Sequence, residues 1–137
     1  MKELEKSSPQ NTILDMALEN TSIARDNTIR VSQLKLANIT RLIVNQKVNK
    51  AVEQLKFSNK RISQNVLKVL NSAIANAENN KQLDIDNLYV KEAYVGKSLS
   101  MKRFRPRAKG RASSILKPFS KLTIILEERL NKKEEKK

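Results

Sequence analysis

The sequence has no cysteine and no histidine, and it has few glycines. The absence of cysteine and histidine excludes disulfides, thiolate nucleophiles, zinc sites and imidazole acid–base chemistry. With only two glycines, Gly96 and Gly110, the sequence cannot provide a glycine-rich phosphate-binding loop. Asp84 and Asp86 are close in sequence, but no third ligand is near them, so we expect a turn or capping role rather than a metal site. These observations predict a protein that is not an enzyme and that needs no cofactor or metal.

Long hydrophobic runs are also missing. No apolar stretch approaches the roughly 18–20 residues that a helix needs to cross a bilayer. Residues 1–10 are polar and lack the apolar stretch of a signal peptide. We therefore expect a cytosolic protein with no membrane partner. Apolar residues make up 39% of the chain, which suffices for a core, and because aromatic residues make up only 4%, that core has to be aliphatic.

Positive charge is in large excess. The chain has 28 Lys and Arg against 14 Asp and Glu, a net charge of +14 in 137 residues. Such a charge repels itself unless a polyanion balances it, and nucleic acid is the usual partner. An anionic membrane surface is the alternative, but it requires bulky apolar residues between the cations, and few are present.

The composition divides the chain into three parts. Residues 1–20 are polar and of mixed charge, and we expect a disordered N-terminal extension; the alternative, a short helix at 13–19, would be marginal alone. Residues 21–130 are expected to form a single domain. Residues 131–137 are a charge run that we expect to be a solvated C-terminal tail.

The first half of the domain predicts one strand and three helices. Residues 22–31 favour a strand. Ser32 is expected to cap a helix that extends to about residue 44, with Leu36, Ile39, Leu42 and Ile43 as its buried stripe. Asn49 is expected to cap a short second helix, with Val52 and Leu55 facing inward. The clearest pattern predicts a central helix over 59–79, ended by asparagines at 76, 79 and 80. The apolar stripe of this helix is Ile62, Val66, Val69, Ala73 and Ala77.

The second half alternates with a period of two. This alternation predicts strands at about 86–95 and 122–126. Residues 96–120 between them have too few apolar side chains to fold as a separate unit. Two interpretations remain open from the residues alone: a disordered basic loop, or a long hairpin arm held in place by a partner.

The residues between Glu92 and Glu127 include no acid. This window contains nine cations: Lys97, Lys102, Arg103, Arg105, Arg107, Lys109, Arg111, Lys117 and Lys121. Guanidinium groups suit it to phosphate, because their planar fork can donate two hydrogen bonds to one anion. Phe104 could stack on an unpaired base, while Pro106 and Gly110 favour a turn. We interpret the window as a nucleic-acid-binding segment, with a solvated charged loop as the alternative.

A second set of cations lies on the predicted helices. It consists of Lys35, Arg41, Lys47, Lys50, Lys56, Lys60, Arg61 and Lys68. Either this set is an ordinary solvated helix surface, or the body of the domain also rests on phosphates.

Three stretches together resemble a known family. They are Asn-Ala-Glu-Asn at 76–79, Leu-Asp-Ile-Asp-Asn-Leu-Tyr-Val-Lys-Glu-Ala-Tyr-Val at 83–95, and Lys-Arg-Phe-Arg-Pro-Arg-Ala-Lys-Gly-Arg-Ala at 102–112. They resemble bacterial ribosomal protein twenty-two of the large subunit, and the resemblance covers about residues 22–128. The basic stretch is long and highly specific.

The resemblance implies an α+β fold: three helices packed on a three-stranded antiparallel sheet, with a long protruding β-hairpin at about 88–126. It implies a structural protein of the cytoplasmic large ribosomal subunit that binds 23S rRNA and aids assembly. Its partners would be 23S rRNA, neighbouring large-subunit proteins and the nascent peptide in transit. The alternative from another class is a free-standing nucleic-acid-binding regulator or RNA chaperone with a basic arm.

The family's functional residues carry over to two sets in this chain. The RNA-binding set is Arg25, Lys35, Lys97, Lys102, Arg103, Phe104, Arg105, Arg107, Lys109, Arg111 and Lys117. The tunnel-tip set is Met101, Lys102, Arg103, Arg105, Pro106, Arg107, Ala108, Lys109 and Gly110. The chain departs from the family after Ser32, where a Pro-Arg-Lys run is usual and only Lys35 matches. It departs again at 114–116, where a more basic return strand is usual.

Overall fold

The computed structural model describes residues 20–129. These residues form three helices and a three-stranded sheet, the α+β fold that the resemblance implies. The elements are β1 (Thr21–Ile29), α1 (Gln33–Ile43), α2 (Val48–Phe57), α3 (Arg61–Lys81), β2 (Leu88–Pro106) and β3 (Ala112–Glu128). Two 3₁₀ turns lie at Ile85–Asn87 and Ala108–Gly110. The predicted extension, apart from Asn20, and the predicted tail lie outside the described residues.

The sheet is antiparallel and has the order β1-β3-β2, so β3 is the central strand. β1 pairs with β3 only from Thr21 opposite Glu127 to Ile29 opposite Ser120. β2 pairs with β3 much further, to Pro106 opposite Ala112. Beyond Ser120, therefore, β2 and β3 continue as a two-stranded hairpin that β1 does not accompany.

The core lies between the sheet and α3, and it is aliphatic as predicted. Leu122, Ile124 and Leu126 of β3 are fully buried, as expected for alternate residues on one face of a strand. Leu70 and Ala73 of α3 are fully buried too. The small side chain at Ala73 accompanies a close approach to β1, where the Ser22 hydroxyl donates to the Ala73 carbonyl at 2.6 Å.

Two expectations for α1 were wrong. Leu42 was expected in the buried stripe, but it is 54% exposed, and Thr40 is buried in its place. Thr40 can occupy that face because its hydroxyl donates to the Ala37 carbonyl at 3.0 Å. Ser32 does occupy the N-cap position, but its side chain makes no capping hydrogen bond.

The second helix is confirmed, but its start differs from the prediction. α2 begins at Val48 after Lys47, so Asn49 lies within the first turn and is not the cap. The Asn49 amide instead approaches an Asp86 carboxylate oxygen at 3.4 Å. Asp84 accepts from the Asp86 amide at 3.0 Å and thereby caps the 3₁₀ turn, which confirms the turn role predicted for this pair.

The long central helix is confirmed at 21 residues, but the predicted stop at the asparagines was wrong. α3 continues through Asn79 and Asn80 to Lys81. Gln82 then adopts the left-handed conformation with φ 54°, and its amide donates to the carbonyls of Ala77 and Glu78. The helix therefore ends where a left-handed residue can satisfy its last carbonyls.

Candidate nucleic-acid interface

The part of the β2–β3 hairpin beyond β1, residues 97–120, is the candidate interface and is called the arm below. Its strands pair in register from Ser100 opposite Pro118 to Pro106 opposite Ala112. Every residue from Lys102 to Pro118 is exposed. Of the two interpretations of this segment, a disordered loop and a hairpin arm, the structure shows the hairpin. A two-stranded ribbon with no core presents its side chains to a partner on both faces.

A bulge at the root of the arm sets which side chains share a face. The four residues of β2 from Lys97 to Ser100 lie opposite only three residues of β3, from Ser120 to Pro118. Directly opposed residues share a face of the ribbon, and successive residues alternate. One face, the arginine face, therefore carries Met101, Arg103, Arg105, Ile115 and Lys117. The other, the phenylalanine face, carries Ser100, Lys102, Phe104, Leu116 and Pro118.

The two faces differ in chemistry. On the arginine face, Arg103 and Arg105 are neighbours along β2, and Lys117 of β3 lies opposite Met101, the next residue on this face toward the body. On the phenylalanine face, Phe104 and Leu116 are 74% and 60% exposed. This second face continues the side of the sheet that the helices cover, because Leu116 and the buried Leu122 are an even number of residues apart on β3.

The tip is a tight turn with three cations. The Arg107 amide donates to the Arg111 carbonyl at 2.8 Å and closes the turn. Lys109 and Gly110 both have positive φ, 61° and 69°. Gly110 accepts this conformation without the strain that a side chain would add, and a Cβ there would meet nothing within 4 Å. The predicted turn is confirmed, and it projects Arg107, Lys109 and Arg111 into solvent.

Two serine hydroxyls attach the root of the arm to the body. Ser120 is fully buried and donates to the Val31 carbonyl, just before α1, at 2.7 Å. Ser98 donates to the Asn27 carbonyl of β1 at 2.7 Å. Each strand of the hairpin therefore makes one side-chain hydrogen bond to the body, and these two bonds together fix the direction in which the arm leaves the sheet.

Three acids of the sheet are engaged below the arm. Asp26 of β1, opposite Leu122, is the nearest of them by strand register, and its carboxylate accepts from the Thr28 amide at 2.9 Å. The Tyr94 hydroxyl donates to Glu92, and this hydrogen bond raises the pKa of Tyr94. The Lys91 ammonium lies 2.7 Å from a Glu127 carboxylate oxygen, and this hydrogen bond lowers the pKa of Glu127. Within residues 20–129, these acids have partners in the sheet, and none of them forms a salt bridge with a cation of the arm.

Two residues of the predicted RNA-binding set lie away from the arm. Arg25 is exposed on β1 opposite Thr123, and it lines a small groove with Asp26 and Lys68. Lys35 is exposed in the first turn of α1. The structure therefore gathers the predicted cations of residues 97–117 on one projection and leaves these two on the body.

Sequence reasoning missed a groove where the arm meets the body. The groove has a volume of about 610 Å³ and lies between three separate segments: the first turn of α1, the start of α3, and residues 116–118 of β3. It brings Lys35 together with Arg30, Lys60 and Arg61. No local pattern could have signalled this, because Arg30 and Lys60 are far apart in sequence and only tertiary packing joins them.

The described residues contain no group of three or more acids, histidines or cysteines arranged to hold a metal. No helix within residues 20–129 is long and apolar enough to cross a membrane.

Comparison with known proteins identifies the family. Residues 24–127 match the family described as ribosomal protein L22p/L17e. The large ribosomal subunit protein uL22 of Pelagibacter ubique is 59% identical over 103 residues, 75% of this chain and 78% of that protein. The uL22 protein of Maricaulis maris is 54% identical over 119 residues, 87% of this chain and 94% of that protein. That of Agrobacterium fabrum is 56% identical over 110 residues, 80% of this chain and 84% of that protein. The chain therefore belongs to the ribosomal protein L22p/L17e family, a family of large-subunit ribosomal proteins and not of enzymes.

Proposed function

We propose that this chain binds 23S rRNA in the large subunit of the cytoplasmic ribosome, aids assembly of that subunit, and lines the nascent-peptide exit tunnel with the tip of its arm. Its partners are 23S rRNA, neighbouring large-subunit proteins and the nascent peptide in transit. The observation that carries the proposal is the run from Lys102 to Pro118, in which every residue is exposed, cations are frequent and no acid occurs. Residues 21–130 act as one domain that holds the arm in place.

The arginine face binds phosphates. Arg103 and Arg105 can each donate two hydrogen bonds to one phosphate, which a lysine cannot do. Phe104, on the other face, stacks on an unpaired base, a contact worth on the order of 1–3 kcal/mol. The remaining proposed RNA contacts are Arg25, Lys35, Lys97, Lys102, Arg107, Lys109, Arg111 and Lys117.

The tip forms part of the tunnel wall. The turn at 107–111 is the point of the arm farthest from the body along the hairpin register, and its width is that of two strands. A narrow projection of this kind can pass between RNA helices that would exclude the body. The proposed tunnel residues are Met101, Lys102, Arg103, Arg105, Pro106, Arg107, Ala108, Lys109 and Gly110.

RNA also supplies the free energy that orders the arm. Fixing the backbone costs roughly 1–2 kcal/mol per residue, and the exposed arm buries little apolar surface to offset this. Release of counterions from the RNA and charge-assisted hydrogen bonds offset the cost instead. Binding should therefore depend steeply on salt.

The test is the binding of the full chain to a 23S rRNA fragment between 50 and 200 mM salt. If six or more phosphates are engaged, affinity should fall on the order of 10³-fold or more over this range. Arg103→Gln with Arg105→Gln should reduce the slope of log K against log salt by about 1.8, since each contact contributes roughly 0.9.

The matched control keeps both charges and removes only the guanidinium forks. Arg103→Lys with Arg105→Lys should retain the slope but lower the affinity. A wild-type affinity that does not respond to salt would contradict the proposal.

The location of the tip can be tested directly, because the chain has no cysteine of its own. Ala108→Cys at the tip should form a disulfide with a cysteine in a stalled nascent chain. Phe57→Cys, 85% exposed on the body, should not. On sucrose gradients the protein should sediment with the large subunit at near one copy each. Sedimentation away from the subunit would favour a free-standing nucleic-acid regulator instead.

A further inference from the structure

The groove between the arm and the body has a cationic wall. Arg30, Lys35, Lys60 and Arg61 line it, and none of its lining residues is acidic. All four of these cations are exposed. Lys117 also lines the groove, but strand alternation directs its side chain to the arginine face. The wall is therefore formed by the body of the protein.

Three cations of this wall lie at helix N-termini, where positive charge destabilises a helix. Lys60 is the N-cap of α3 and Arg61 its first residue, and Lys35 is in the first turn of α1. A helix dipole is positive at its N-terminus, so cations there are unfavourable and acids are favourable. Neither first turn contains an acid, and neither N-cap side chain makes a capping hydrogen bond. An anion in the groove would turn this repulsion into attraction.

Apolar side chains also line the groove, and they are called its apolar wall below. Leu116 and Pro118 face it from β3, and Ile62, partly buried against the core, faces it from α3. Asn38 follows Lys35 by three residues and so lies on the same face of α1. It adds an exposed amide to the groove lining. The volume of about 610 Å³ lies within the range of about 300–1,000 Å³ that small-molecule sites occupy.

An RNA backbone alone would need only the cationic wall. A ligand that uses both walls must join an anion to a flat apolar body that can also hydrogen-bond to an amide. An unpaired nucleotide has this chemistry, since single-stranded bases that leave the stack are held by packing and by hydrogen bonds on their edges.

We propose that this groove holds one unpaired nucleotide of the bound RNA, with its phosphate against Lys35, Lys60 and Arg61 and its base against Ile62, Leu116 and Pro118. The proposal rests on the function proposed above and adds a site on the body to the contacts of the arm. A nucleotide held here would fix the RNA at the root of the arm, the point from which the arm enters it.

Two sets of substitutions separate the two walls. With the 23S rRNA fragment that wild type binds, Lys60→Gln with Arg61→Gln should reduce the salt slope by at most about 0.9, because both side chains contact the same phosphate. The same pair should leave the melting temperature of the free protein unchanged or raise it, because it relieves repulsion at the helix start. Leu116→Ser, on the apolar wall, should weaken binding without changing the slope.

The matched control is Lys50→Gln with Lys56→Gln, two exposed cations of α2 that do not line the groove. This pair should leave the slope unchanged. Chemical probing of the RNA 2′-hydroxyls should find one unpaired nucleotide that wild type protects and that both groove variants release.

An equal loss of slope in the groove pair and the control pair would overturn the assignment, because it would indicate a general electrostatic attraction. The absence of any nucleotide released by Leu116→Ser would overturn it as well. Failure of wild type to bind the fragment would instead refute the proposed function, so the two failures are distinguishable.

Discussion

The hydroxyl of Ser120 offers a sharp test of how the arm is fixed to the body. Ser120 is fully buried and donates to the Val31 carbonyl at 2.7 Å. Ser120→Ala removes this hydroxyl with almost no change of shape and leaves the Val31 carbonyl without its hydrogen-bond donor. Such a loss costs about 1–3 kcal/mol. For a domain of roughly 100 residues, 1 kcal/mol corresponds to about 4 °C, so the melting temperature should fall by about 4–12 °C.

The assay is equilibrium unfolding in urea, followed by far-ultraviolet circular dichroism. The midpoint should fall at an unchanged m-value, since the variant exposes the same surface on unfolding. Ser114→Ala is the control, an exposed serine on the same strand, and should change stability by less than about 0.5 kcal/mol. If Ser120→Ala were as stable as Ser114→Ala, the hydrogen bond would not be what holds the root, and the argument would be refuted.

Three further predictions concern the core, the base of the hairpin and the arm. Leu70→Ala, at a fully buried position of α3, should lower the free energy of unfolding by about 2–5 kcal/mol, whereas Leu34→Ala, at a position 72% exposed, should change it by less than about 0.5 kcal/mol. The hydrogen bond from Lys91 lowers the pKa of Glu127 in the folded protein. This hydrogen bond therefore stabilises the fold at pH values above the ordinary glutamate pKa of about 4.3. The stabilisation is lost as the pH falls through the lowered pKa of the folded protein. Urea midpoints between about pH 6 and pH 3 should therefore fall less steeply for Glu127→Gln, and parallel curves would contradict this. Amide exchange in the free protein should be fast at 101–117 and slow down when the 23S fragment is added; protection without RNA would show that the arm is stable alone.

The sequence predicted the body well where periodicity and burial coincide. α3 was found within two residues at each end, because its apolar stripe faces the sheet along most of its length. The errors occurred where local chemistry competes with packing. Asn79 and Asn80 are turn-favouring residues, yet they remain helical because the helix closes only at the left-handed Gln82. Leu42 is the more hydrophobic residue, but Thr40 lies on the buried face.

The sequence located the candidate binding segment but not its geometry. The acid-free window and its cations were evident from charge alone. The two bulges of β2, between Val90 and Glu92 and between Lys97 and Ser100, were not evident. Each of them shifts the alternation, so counting by twos from Ala93 and Val95 would assign Arg103 to the wrong face. The groove was equally hidden, since Arg30, Lys60 and Leu116 meet only in the folded chain.

The pairing of β2 with β3 beyond the end of β1 has a consequence for the free protein. Along 101–106 and 112–117, each strand has a hydrogen-bonded neighbour on one side only, and open strand edges invite pairing with other copies and aggregation. Pro106 and Pro118 each remove a main-chain donor, and the like charges of the arm repel a second arm that approaches side by side. The same charge that we propose binds a polyanion is therefore expected to disfavour edge-to-edge pairing between copies of the free protein.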